Sequence, residues 1–187
     1  METTLYLTIR REGKTIPYAP QDRTDSRNHG YLHLKGRQHC IEQIPEARDH
    51  PVLQDVLLRL NADRTGFLTL GCDYSLNTAS GEASSTGGRR YWAKGYVDVG
   101  FVDQERVRNI QEYFLLFVRF DTYLQSRSFT GPVDFHWELD RTRFQETDCS
   151  GWTVCLWITT DWFGTGQDAQ ACWALAMEAF CSFLEQV

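Results

Sequence analysis

No stretch of this 187-residue chain is apolar for long enough to cross a bilayer as a helix. Met1-Glu2-Thr3-Thr4-Leu5 does not open a basic segment followed by an apolar one, so no secretory signal is expected. The chain has no Asn-x-Ser/Thr acceptor and no C-x-x-C pair. Its six cysteines are irregularly spaced, and Cys155, Cys172 and Cys181 fall on apolar faces. Buried free thiols in a reducing, cytoplasmic setting are the expectation, with Cys40, Cys72 and Cys149 left as candidate exposed thiols. Neither a Gly-x-Ser-x-Gly nucleophile motif nor a nucleotide loop is present. Gly164-Thr165-Gly166 lacks the further glycines, the lysine and the parallel strand–helix–strand setting, and Asp161 and Asp168 beside it repel anions.

Positive charge is scarce at one end. Residues 131–187 hold only Arg141 and Arg143 against 9 acidic groups, a net of −7, whereas residues 1–66 carry +1, residues 67–130 balance and the chain totals −6. Such a segment repels phosphate backbones and anionic lipid, so no nucleic-acid and no membrane partner is expected, and a basic protein partner is. Aromatic content is high at 13%, with 6 Trp, which favours a core or binding surface of large flat side chains.

Length and hydropathy pattern predict a single α+β domain over residues 1–187: a mainly antiparallel sheet with two long helices on one face, as duplicated β-hairpin–helix units, plus a short N-terminal helix. Residues 1–66 supply N-terminal strands and the short helix. Residues 4–10 alternate as a strand, residues 11–14 read as a turn, and residues 15–18 as an edge strand returning through Pro17. Residues 21–30 read as an exposed loop and 31–35 as a short strand. Pro51 at a first helical position starts a helix whose Leu53, Val56, Leu57 and Leu60 form one stripe.

The first unit, residues 67–126, is a hairpin with a Ser/Gly-rich, mobile tip at 77–88, then a helix from Gln104 capped by Asp103. That helix carries Val107, Ile110, Phe114, Phe117 and Leu124 on one side and reads as the most buried in the chain. The second, acidic unit, residues 131–187, begins with a strict alternation: Val133, Phe135, Trp137 and Leu139 against Asp134, His136, Glu138 and Asp140. Residues 152–162 read as a central strand. Thr165 with Asp168 caps a last helix bearing Cys172, Trp173, Ala176, Met177 and Phe180.

The sharpest constellation is Asp134, His136, Glu138 and Asp140, placed by period two on one side of a strand about 7 Å apart. As an unneutralised wet face it would dock a basic partner, with Glu146 and Asp148 extending it and Trp92 and Tyr96 as aromatic anchors. Trp157 and Trp162 are further candidates for aromatics on the sheet. Alternatively, His136 between Asp134 and Glu138 could bind a divalent metal or serve as an acid–base pair. His29, His33, His39, Cys40 and His50 form a looser cluster whose spacings match no standard zinc site.

The expected role is a small acidic protein-binding module, an inhibitor or toxin-neutralising immunity protein acting by surface occlusion, without catalytic residues or cofactor. One alternative is a metal-dependent enzyme or small-ligand binder, using the Asp134/His136/Glu138 face or a pocket between the sheet and the N-terminal segment. Another is a structural subunit of a larger complex.

Overall fold

The strict alternation at Val133, Phe135, Trp137 and Leu139 organises the molecule: all four are buried beneath helices. The computed structural model describes residues 3–23, 26–79 and 90–187, with the backbone alone at 22–23 and 26–28. Five strands form one mixed sheet, β1 (Thr3–Ile16), β4 (Phe67–Thr78), β5 (Tyr91–Phe101), β6 (Val133–Phe144) and β7 (Cys149–Thr160), in the order β1-β6-β7-β5-β4. The pairs β4–β5, β5–β7 and β6–β7 are antiparallel, and β1 joins β6 in parallel. Two short strands, β2 (Gln21–Arg23) and β3 (Ser26–Asn28), pair separately. The helices are α1 (Pro45–Arg48), α2 (Pro51–Leu60), α3 (Gln104–Arg108), α4 (Ile110–Leu124) and α5 (Gly166–Leu184).

One sheet face is packed. Register sets Phe135 beside Ile158, Trp137 beside Leu156 and Leu139 beside Val154. Over them lie Tyr113, Leu116 and Phe120 of α4, Trp173, Ala176 and Phe180 of α5, and Leu53, Val56, Leu57 and Leu60 of α2. Phe120 sits at the hub, its ring centroid 5.4 Å from Phe135, 5.6 Å from Trp137 and 5.1 Å from Phe183. Edge-to-face and tilted rings at such separations add to the gain from area burial. Asn61 ends α2 and is buried; its amide donates to Leu57 O and Thr69 Oγ1 and accepts from Thr69 N, locking α2 to β4. Asp103 caps α3 and Thr165 caps α5 as expected.

Several expectations are corrected. The N-terminal strand does not turn back at 11–14; β1 continues to Ile16, with only a register shift between Arg10 and Lys14, because pairing with β6 carries it forward. The expected loop at 21–30 contains β2 and β3, and residues 31–35 form no strand: Leu34 is buried and a turn follows it. The helix predicted from Gln104 breaks at Asn109, whose extended backbone lets its side chain accept from Gln111 N and cap α4. The helical phase resets there. Tyr113, Leu116, Phe120 and Leu124 face the core, while Leu115 and Val118 stay exposed. The most buried helix is α5, with ten buried residues against four in α4. Of the expected mobile tip at 77–88, Asn77 and Thr78 belong to β4 and residues 80–88 lie outside the described residues.

Candidate functional site

The sheet face opposite α2, α4 and α5 has three zones. At the end nearest the β6–β7 turn, Ile16, Leu70 and Cys149 are buried, and α3 closes over Gly151. In the middle lies a charged network. At the other end the face is open.

The network corrects the reading of an unneutralised acidic row. Parallel pairing sets Thr8 beside Glu138 and Arg10 beside Asp140, which delivers cations to the strand. Arg10 Nη2 donates to Glu138 Oε1 at 2.7 Å and Trp157 Nε1 donates to Oε2 at 3.2 Å, and Glu138 is only 4% exposed. Lys14 Nζ donates to Asp140 at 2.9 Å and to Asp98 at 2.5 Å. A carboxylate so enclosed must be paired, because an unpaired buried charge costs several kcal/mol. Burial raises the Asp98 pKa, with Lys14 opposing. Burial would lower the Lys14 pKa, but Asp98 and Asp140 more than offset it and hold it above the ordinary lysine value. Glu138 and Asp140 therefore stabilise the sheet and present no free charge.

His136 accompanies this network. Its Nε2 lies 2.8 Å from Thr8 Oγ1, and its Nδ1 lies 3.6 Å from Glu138 Oε1. The order carboxylate–imidazole–hydroxyl is that of a nucleophilic relay. Two features weaken it: 3.6 Å is beyond hydrogen-bond reach, and the Thr8 hydroxyl lies on an exposed strand outside every cavity described here. Asp134 does not join His136 and Glu138 as a ligand set. Among the described residues no three His, Cys, Asp or Glu side chains converge to hold a metal. The histidine-rich window is dispersed as well: His29 pairs with Glu46 at 3.5 Å, His33 with the Tyr31 hydroxyl, and His50 packs on Tyr74.

The remaining predicted partner-binding residues separate. Glu146 and Asp148 follow the far end of β6, roughly 35 Å from Asp134 by strand rise. Asp148 pairs with Arg143 at 3.1 Å, and Glu146 borders a small cleft with Ile16, Val107 and Cys149. Tyr96 packs on Trp157 in the middle of the sheet, and Lys94 Nζ sits 4.5 Å from that indole's centroid. Asp134 and Trp92 do meet. With Thr4, Thr159, Asp161 and Trp162 they line an open cavity of about 430 Å³. The Trp92 and Trp162 rings form a tilted corner, centroids 4.3 Å apart. Asp134 and Asp161 are exposed and have no ion-pair partner among the described residues. Asp161 was missed as a binding residue; its only signal is its position directly after the apolar run of β7.

A second cavity, of about 570 Å³, lies where a pocket between sheet and N-terminal segment was expected. Its walls are Tyr18, Tyr31 and Tyr96, and Glu46, Cys72 and Asp73 also reach it. Tyr18 donates to Leu70 O, and burial pushes the Tyr18 and Tyr31 hydroxyls up to about 12. Burial, with Glu46 and Asp73 nearby, raises Cys72 as well, which disfavours a thiolate there. All six cysteines are free, and Cys149, a candidate exposed thiol, is buried. Comparison with protein-family models, with curated proteins and with solved structures finds no match for the chain.

Proposed function

We propose that this chain is a protein-binding module that captures a basic segment of a partner at the open end of its sheet and acts by occluding it, as an inhibitor or immunity protein does. One observation carries the reading: Asp134 and Asp161, both unpaired among the described residues, flank the tilted Trp92–Trp162 corner in an open cavity. A lysine or arginine head seated there meets two carboxylates and the indole faces, and cation–π attraction adds about 0.5–2 kcal/mol. Trp anchors in partly enclosed pockets dominate many interfaces. Glu138, Asp140, Glu178 and Glu185 are neutralised by Arg10, Lys14, Arg59 and Arg64, so it is the unpaired Asp134 and Asp161 that attract a basic partner to the site. The two hairpin-plus-helix stretches, 67–126 and 131–187, read as a duplicated unit in which only the second bears the docking charge.

The test uses a Lys/Arg-rich peptide as probe, with Trp fluorescence and surface plasmon resonance as readouts. Trp92→Ala and Asp134→Lys should each weaken binding about tenfold, that is by about 1.4 kcal/mol. Asp148→Lys, at the opposite end of the sheet, should leave it unchanged. An equal loss from Asp134→Lys and Asp148→Lys would reduce the effect to net charge, and unchanged binding in Trp92→Ala would remove the aromatic anchor; either outcome overturns the site.

A further inference from the structure

We propose that the cavity between β4 and residues 29–46 is a second, separate binding site, for a small aliphatic diamine or polyamine. It does not rest on the docking reading above, because it lies along the β4 edge of the sheet and shares no lining residue with the Trp92–Trp162 corner.

Its volume of about 570 Å³ falls in the range of small-molecule sites. Two carboxylates, Glu46 and Asp73, reach it among the described residues. Glu46, in the roof, is mostly buried, with its side chain 21% exposed, and Asp73 stands on β4 across the cavity. No lysine or arginine appears among the described lining residues; the only other basic group is His29, 3.5 Å from Glu46 at a more exposed position. The three phenols and the Cys72 thiol stay protonated at neutral pH and neutralise nothing.

An independent observation adds to this field. Asp98 is the ladder partner of Gly71, a cavity residue, and its Oδ1 is buried with no hydrogen-bond partner. Asp98 and Asp140 share Lys14, which leaves Asp98 Oδ1 as a buried acceptor next to the ladder position of the cavity residue Gly71. Gly71 itself leaves the space that Tyr18 occupies: an added Cβ would stand 3.1 Å from Tyr18 Oη.

Glu46 and Asp73 repel anions and favour a cation, although Asp73 is exposed and already accepts from Tyr74 N at 2.8 Å. Two ammonium groups joined by methylenes fit this arrangement: one at Glu46, one at Asp73, and the chain between them against the tyrosine rings. Ammonium groups also occur on protein lysines, so the test separates the two sources.

Isothermal titration calorimetry of the full chain with spermidine, putrescine and butylamine should give one site, tightest for spermidine and weakest for the monoamine. Glu46→Gln and Asp73→Asn, both near-isosteric, should each weaken spermidine about tenfold, and Asp148→Asn should not. Inorganic phosphate should give no heat. No heat from millimolar spermidine, or an equal loss in Asp148→Asn, overturns the site. A Gly-Lys-Gly peptide that binds as tightly as spermidine, with the same dependence on Glu46 and Asp73, overturns the free-polyamine assignment. Loss of docking by Trp92→Ala leaves all these outcomes untouched, so the two readings fail separately.

Discussion

Lys14 is the one cation shared by two carboxylates under the middle of the sheet, 2.9 Å from Asp140 and 2.5 Å from Asp98. Removing it strands a fully enclosed charge. Lys14→Met should therefore destabilise the fold by about 3–5 kcal/mol at neutral pH, read from urea midpoints. The defect should ease in acid. The Asp98 pKa is already raised by burial, and without Lys14 it rises further. The folded variant then takes up a proton more readily than the unfolded chain, so its deficit shrinks as pH falls through the new folded value. Lys14→Met combined with Asp98→Asn should recover much of the loss. A deficit of equal size at every pH, unrelieved by Asp98→Asn, would show that Lys14 acts by packing alone. None of this was legible in the sequence. Period two put Glu138 and Asp140 on one side of β6 correctly, but Arg10 and Lys14 reach them only because β1 pairs in parallel across 128 and 126 residues of chain.

Between elements, Arg59 clasps α2 to α5. Its guanidinium donates to Glu178 at 2.6 Å, to Glu185 at 2.5 Å and to Asp55 at 3.2 Å, and Arg64 adds a bond to Glu185 at 2.8 Å. The Arg59 bonds hold the Glu185 carboxyl below its ordinary value; at Glu178 burial pushes upward, and Arg59 with Ser182 overcomes it. Depressed carboxyls stabilise the folded state above their unfolded pKa of about 4.5 and lose that contribution as pH falls through the folded values. Arg59→Met should then cost about 1–2 kcal/mol at neutral pH, modest because Glu178 is half-exposed, and progressively less as pH falls below about 4.5 through the depressed folded values. A gap that persists at low pH would assign the effect to the lost aliphatic packing. The stripe of α2 and the caps of α3 and α5 were plain in the sequence, since each is a local pattern. The break at Asn109 was not: the apolar period runs through it, and only the cap geometry gives it away.

At the scale of the molecule, residues 1–66 are not an appendage. β1 closes one edge of the sheet beside β6, and α2 packs on α5, so the first third of the chain and the last share one core. The Trp92–Trp162 corner likewise draws Thr4, Asp134 and Asp161 from distant parts of the chain, which is why the alternation of one strand marked Asp134 for docking but could not join Asp161 to it. A shared core dictates cooperativity. Urea unfolding should be a single transition, with Trp fluorescence, to which the buried Trp137 and Trp173 contribute, coinciding with far-UV circular dichroism. Calorimetry should give equal van't Hoff and calorimetric enthalpies, with a heat-capacity change of about 2.5 kcal/mol/K, scaled from roughly 13 cal/mol/K per residue. An earlier loss of ellipticity while Trp137 remains buried would mean that α2 and β1 unfold apart from β6, β7 and α5. The ion pairs that Arg10 and Lys14 make would then be a late attachment to an independently stable acidic half.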